Sequence, residues 1–98
     1  MRRNLLRRWL HSHEEDTAEG QVYRPAGYAF PRARGRAGFE LRDDGRCEYI
    51  AIGRGDRPEV VTGEWTLDGD RIRMRLETGE STEMRVVSVD RERLVVRY

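Results

Sequence analysis

The segment RIRMRLE, residues 71–77, alternates strictly between charged and apolar side chains. Ile72, Met74 and Leu76 fall on one side, and the arginines and the glutamate fall on the other. Because successive side chains of a β-strand point to opposite faces, this period of two predicts a strand with one face against a core and the other in solvent. A period of 3.6 is weak throughout the chain. The alternation therefore favours an all-β fold.

The same alternation recurs through residues 37–98. It predicts strands over residues 38–42, 47–52, 60–67, 71–77, 83–89 and 93–98, separated by turns that contain Gly or Asp. About one strand per 8–12 residues with such turns is typical of an antiparallel sandwich or barrel. The segment CEYIAI, residues 47–52, is apolar on both faces, so its pattern does not show which side chains point inward.

Two further strands are predicted nearer the N-terminus. RRNLLRRWL carries the only helical pattern, and we expect a short helical turn followed by a strand over residues 7–14. Residues 17–36 form a long loop segment that contains Pro, Gly and Arg, with a short strand at residues 21–24. Pro25 and Pro31 cannot donate to a central ladder. Such a segment is either functional or closes one end of a barrel.

Composition limits the class of protein. The 98 residues suffice for a single domain, residues 1–98. All 19 basic residues are arginine, and 18 acidic residues leave a net charge of +1, which argues against a nucleic-acid partner. Cys47 is the only cysteine, which excludes an internal disulfide and fits a reducing compartment. With neither a secretory signal nor a membrane segment evident, we expect a soluble, cytoplasmic protein with no membrane partner.

A tripeptide in one predicted strand resembles a known family. GEW, Gly63–Trp65, followed by TLDGDRIRMRL, is similar to the Gly-x-Trp-plus-hairpin pattern of small bacterial lipocalin-like (calycin-type) β-barrels. RRWLHSHEE resembles the same pattern, with Trp9 in the place of Trp65 and Arg7 where the family has glycine. The resemblance covers residues 37–98 and, poorly, residues 7–16.

The resemblance implies a small antiparallel up-and-down meander barrel, lipocalin-like, with seven or eight strands. Trp65 and Trp9 would pack at the barrel end, and Gly63 would permit a close backbone approach. Members of the family bind lipids, pigments, haem or proteins, so the likeness implies a fold and no particular ligand.

The segment RRWLHSHEED holds both histidines of the chain. On a strand, Trp9, His11, His13 and Glu15 would share one face, with Ser12 opposite. No metal site is expected: His11 and His13 are two candidate ligands, and zinc would need a third from Glu15, Asp16 or Cys47. Alternatively, the two histidines line a wet barrel mouth beside the acids, or contact a ligand in a barrel cavity.

The segment YRPAGYAFPRARGR, residues 23–36, interleaves arginines with aromatic residues. Such a mixture can bind phosphate or stack on bases. Alternatively, the aromatic side chains plug the barrel end while the arginines pair with the acids of residues 14–16. The arginines at 71, 73 and 75 are interpreted as a solvent face, with Glu64 and Glu83 as cross-strand partners.

Three functional hypotheses follow. The first is a non-enzymatic module that binds a small apolar or aromatic molecule near the barrel end. The second is a protein-interaction or inhibitor module with a side-chain-filled barrel. The third is a small metal-dependent or cyclase-like enzyme that uses His11 and His13. No cofactor is expected, and the oligomeric state stays open. The predicted ligand-binding residues are Trp9, His11, His13, Tyr23, Arg24, Tyr28, Arg34 and Arg36.

Overall fold

Eight antiparallel strands close into a barrel in the computed structural model, which describes residues 1–98. The elements in chain order are α1 (Arg2–Leu5), β1 (Arg8–His11), β2 (Gln21–Pro25), β3 (Gly38–Leu41), β4 (Arg46–Ile52), β5 (Pro58–Asp68), β6 (Arg71–Leu76), β7 (Ser81–Val89) and β8 (Leu94–Arg97). Short 3-10 turns cover His13–Glu15 and Arg54–Asp56. The predicted fold class, an all-β antiparallel up-and-down barrel, is confirmed.

Strand order departs from chain order at one place. Around the barrel the order is β1-β2-β8-β7-β6-β5-β4-β3, and every neighbouring pair is antiparallel. β1 therefore lies between β2 and β3. Residues 26–37, which we call the crossover segment, leave the end of β2 and pass over the outer surface of β1 to reach the start of β3. Backbone bonds from Ala26 N to Arg8 O and from His11 N to Ala37 O fix both ends of the crossover segment.

The inward-facing side chains fill the barrel. A cluster of 14 buried residues occupies the interior: Leu5, Trp9, Tyr23, Phe39, Leu41, Cys47, Trp65, Ile72, Met74, Leu76, Met84, Val86, Leu94 and Val96. A barrel of eight strands is just wide enough for side chains to fill it. The principal pockets lie on the outer surface and at the rims.

One end of the barrel, the helix end, is closed by α1. Leu5 is fully buried, and Trp9 Nε1 donates to Leu5 O at 3.1 Å. Trp65 Nε1 donates to Arg42 O at 2.7 Å, and the guanidinium of Arg2 lies 4.7 Å from the centre of the Trp65 ring. Both tryptophans are thus core residues at one barrel end, as the resemblance implied.

Two glycines permit close backbone approaches. A Cβ atom on Gly63 would overlap the carbonyl oxygen of Arg75, and one on Gly38 would overlap that of Trp9. The predicted role of Gly63 is confirmed, whereas that of Gly38 was not predicted. Both positions accept only a residue without a side chain while the sheet keeps its present curvature.

The predicted strand over residues 7–14 is wrong beyond His11. Ser12 Oγ donates to Glu15 Oε2 at 2.8 Å, and the backbone N of Glu15 donates to Ser12 O at 2.9 Å. These local bonds compete with a strand ladder and turn the chain at Ser12. In contrast, the short strand predicted at residues 21–24 is present as β2.

No helix of the structure has the length and apolar character needed to cross a membrane.

Candidate functional site

The predicted ligand-binding residues do not share one site. Trp9 is buried at the helix end, while His11 and Tyr23 lie at the opposite end of the barrel. Arg24, Tyr28 and Arg36 lie on the outer surface, and His13 and Arg34 are exposed.

Rings and hydroxyl groups close the barrel end opposite α1. The ring of His11 stacks on Tyr23 with 5.1 Å between centroids, and His11 Nε2 lies 2.8 Å from Asp16 Oδ2. The hydroxyls of Tyr23 and Tyr98 are hydrogen-bonded at 2.8 Å. Burial raises the pKa of both phenols, so the pair stays neutral. This end holds a packed polar cap over the core.

His13 lies beside His11 but not on the same strand face. The two rings are 6.1 Å apart in an edge arrangement, and His13 Nε2 is 3.9 Å from Glu14 Oε2. His13 belongs to the 3-10 turn and is exposed, which corrects the expectation that both histidines point inward from a strand. Nowhere in the chain do three or more His, Cys, Asp or Glu side chains converge in a group that could hold a metal ion.

The predicted pairing of the acids of residues 14–16 with the arginines of residues 23–36 is present in part: Glu14 and Glu15 pair with Arg36 and Arg24, whereas Asp16 pairs with His11. Arg36 binds Glu14 at 2.6 and 2.8 Å, and Arg24 binds Glu15 at 2.7 and 2.8 Å. These bonds, from Arg36 and Arg24 respectively, lower the pKa of Glu14 and of Glu15 to about 2. Arg34 forms no ion pair with them.

Two aromatic residues of residues 23–36, Tyr28 and Phe30, lie outside the barrel and do not plug its end, whereas Tyr23 is buried in the packed barrel end. The guanidinium of Arg24 lies 4.7 Å from the Tyr28 ring centre, and that of Arg36 lies 4.5 Å from the Phe30 ring centre. Tyr28 and Phe30 contact each other edge to face at 5.0 Å. The alternating aromatic and cationic side chains therefore fasten the crossover segment to the outer surface.

A groove runs beneath the crossover segment, with a volume of about 370 Å³. We call it the outer groove. Its apolar lining comes from β1, the crossover segment, β4 and the start of β5: Leu10, Pro31, Ala33, Gly35, Ile50, Ile52 and Pro58. Arg8, Arg36 and Asp56 complete the lining.

The register of three strands explains the floor of the outer groove. Leu10 pairs with Gly38, and Gly38 pairs with Ile50, so a glycine separates two apolar side chains in one lateral row. Without a side chain, Gly38 leaves space between them. Ile50 is nevertheless only 3% exposed although it faces away from the core cluster. The outer groove thus has a floor of aliphatic side chains on the outside of the sheet.

The charged rim of the outer groove is held in place by ion pairs. Arg8 contacts Glu40 at 3.2 Å and Glu48 at 2.9 Å. Arg36 is held by Glu14, and only 7% of its side chain is exposed. Asp56 forms no ion pair. A polar group bound in the groove would find oriented donors on one side and a carboxylate on the other.

The outer groove was not predicted from the sequence, although one signal for it was present. CEYIAI is apolar on both faces because Cys47 and Tyr49 face the core while Ile50 and Ile52 face the groove. The other strands of this barrel are apolar on their inner face only. A strand that is apolar on both faces therefore indicates that its outer face is also covered, here by the crossover segment.

Comparison with known proteins gives no relative: no family model, no curated protein and no solved structure matches the chain. What the structure defines is a closed antiparallel barrel with a filled interior and an apolar groove on its outside.

Proposed function

We propose that this protein is a non-enzymatic binding module that takes a small apolar or aromatic molecule into the outer groove. The observation that supports this proposal most directly is the aliphatic floor of Leu10, Ile50 and Ile52 beneath the crossover segment. The volume of about 370 Å³ falls within the range of about 300–1,000 Å³ usual for small-molecule sites. The proposed location differs from the barrel end that the sequence favoured.

The filled interior supports this location. A ligand inside the barrel would have to displace fully buried side chains such as Trp9 and Phe39. Binding in the outer groove needs no such rearrangement, and each Å² of apolar surface removed from water contributes about 25 cal/mol. The rim charges of Arg8, Arg36 and Asp56 would orient a polar substituent of the ligand.

A distant kinship with small bacterial lipocalin-like barrels is part of the proposal. Its support is the closed barrel, the end position of Trp65 and the close approach at Gly63. The passage of residues 26–37 over β1 departs from a meander in simple chain order. A cytoplasmic location is also proposed, on the support of one buried free thiol, Cys47.

The test uses 1-naphthol as an apolar aromatic probe and methyl NMR as the readout. We expect saturable shifts of the Leu10, Ile50 and Ile52 methyls. Ile52→Asp should weaken binding at least about tenfold, because it places a charge on the apolar wall. Val87→Asp is the matched control, since Val87 is exposed on β7, away from the groove. Absence of methyl shifts, or an equal loss in both variants, would count against the proposal.

A second candidate, a protein-interaction module, is favoured by one observation. The apolar row continues from Ile50 to its strand partner Val60, which lies outside the outer groove and is 51% exposed. A protein segment with apolar side chains would cover Val60, whereas a small molecule would not. Val60→Asp should therefore abolish binding of such a partner while leaving 1-naphthol binding unchanged. A partner still retained by Val60→Asp and Ile52→Asp would exclude this surface.

An enzyme that uses His11 and His13 is the third hypothesis, and the geometry adds no third ligand to the pair. Metal analysis of the purified protein tests the metal version directly. Zinc, copper, iron and nickel all present at well below one equivalent would remove it.

A further inference from the structure

Three arginines lie side by side across β6, β7 and β8. Arg71 pairs with Arg85, and Arg85 pairs with Arg97, so the three positions form one lateral row on the outside of the barrel. We call them the arginine row. Their chain neighbours Ile72, Met84 and Val96 are buried, which places the arginines outward.

Such an arrangement is unfavourable in the absence of a counter-charge. Side chains directly opposite each other in antiparallel strands lie about 4.5–5.5 Å apart at Cβ, and like charges there repel. Arg71 shares Glu83 with Arg73, and Arg85 contacts Asp70 at 2.8 Å. Arg97 has no carboxylate partner and donates only to Ala18 O, at 2.9 Å.

A pocket of about 310 Å³ lies over the arginine row. Its lining consists of the three arginines together with Glu83, Met84 and Tyr98. Three positively charged side chains and one negatively charged side chain therefore surround the space. Tyr98 is 59% exposed as a residue, but its hydroxyl is anchored to Tyr23, so its ring forms a fixed wall.

From this geometry we propose that the arginine row binds a phosphate-class anion, at a site separate from the outer groove. Guanidinium groups are planar donors that match phosphate oxygens two at a time. An anion between Arg85 and Arg97 would pair with the guanidinium of Arg97, which has no carboxylate partner. It would also reduce the electrostatic repulsion between the guanidinium groups of the arginine row. A phosphate ester of an aromatic group would in addition contact the Tyr98 ring.

The test is a titration with inorganic phosphate at constant ionic strength, followed by NMR of the arginine Nε–Hε groups. We expect saturable shifts at Arg85 and Arg97, with millimolar affinity. Arg97→Gln should weaken binding about tenfold, the value expected for one hydrogen bond to a charged group. Arg75→Gln is the matched control: it removes the same charge from the outer face of β6, away from this pocket, and should leave the affinity unchanged.

Two further measurements distinguish binding at this pocket from nonspecific electrostatic attraction to the arginines. Glu83→Gln should tighten phosphate binding, because it removes the acidic side chain from the lining. Phenyl phosphate should bind more tightly than inorganic phosphate if the natural ligand is an aromatic phosphate ester, and Tyr98→Leu should cancel that difference. Equal affinities for the two probes would identify a free anion as the ligand. The proposal is overturned if no shift saturates, or if Arg75→Gln weakens binding as much as Arg97→Gln.

Discussion

Arg36 and Glu14 form a two-point ion pair, with Nη1 2.8 Å from Oε1 and Nη2 2.6 Å from Oε2. Arg36 also donates to the carbonyl oxygens of His11 and Pro31. Since Glu14 belongs to the β1–β2 connection and Arg36 to the crossover segment, this one side chain fastens the segment over β1. Arg36 thereby fixes one wall of the outer groove.

Arg36→Lys should loosen the crossover segment. Lysine keeps the charge but loses the two-point geometry and the contact with the Phe30 ring, so we expect a loss of about 1 kcal/mol in unfolding free energy. Amide hydrogen exchange at residues 32–36 should accelerate. Arg32→Lys is the control, because Arg32 is exposed and forms no ion pair. Unchanged exchange in Arg36→Lys would show that the segment is held by other contacts.

Stability should fall in acid through Glu14 and Glu15. Hydrogen bonds from Arg36 and Arg24 lower the two pKa values from 4.5 to about 2. A lowered pKa stabilises the folded state above the unfolded value and loses that stabilisation as the pH falls through the folded value. We therefore expect urea midpoints to decline between about pH 4.5 and pH 2. In the double variant Glu14→Gln, Glu15→Gln the decline should be shallower, and an identical slope would contradict this assignment.

Gly63→Ala should destabilise the barrel strongly. The added Cβ would overlap the backbone carbonyl oxygen of Arg75, and backbone cannot move aside as a side chain can. We expect a loss of about 3 kcal/mol or failure to fold. Gly27→Ala is the control, because nothing lies within 4 Å of its added Cβ. Chemical denaturation of both variants measures the difference, and equal stability would refute the close approach.

Leu5→Ala should reveal that α1 is part of the core. Leu5 is fully buried against the helix end of the barrel, and truncation of a buried leucine costs about 2–5 kcal/mol. Leu6→Ala, at a partly buried neighbour, should cost less. Thermal unfolding of the two variants gives the comparison.

The Cys47 thiol should be unreactive in the folded protein. Burial raises its pKa, and its side chain is enclosed in the core cluster. We expect a disulfide reagent to modify Cys47 only at the rate of unfolding, with full reaction in denaturant. Rapid modification of the native protein would mean that β4 and β5 separate readily.

Alternation of side chains was enough to predict most of the fold. The strands β3 and β5 to β8 follow from period-two patterns such as RIRMRL. Glu83 was correctly expected to pair with the arginines of β6, whereas Glu64, expected in the same role, forms no ion pair. The pairing of Arg36 with the acids also followed from charge. The strands and the Glu83 pairs depend on neighbours along the chain or in a hairpin, which short-range patterns describe, whereas the pair of Arg36 with Glu14 follows only from complementary charge.

Features set by non-consecutive strands could not be predicted in this way. The placement of β1 between β2 and β3 joins Leu10 to Gly38, and no local pattern encodes that pairing. The outer groove depends on it, since Leu10 and Ile50 meet across Gly38. The turn at Ser12 was missed because side-chain bonds to Glu15 overrode the alternation. His13 was therefore assigned to the wrong face.

The passage of residues 26–37 over β1 also bears on synthesis of the chain. β1 and β2 are synthesised before β3 and β8, the strands that flank them in the barrel. Val22 of β2 therefore has no strand partner until Val95 of β8 has been made. An isolated two-stranded hairpin is marginally stable in water. The meander from β3 to β7 can assemble first, and the barrel can close only once β8 has been made. Until that moment the sheet has two open edges, which are the places where a nascent chain can pair with other chains.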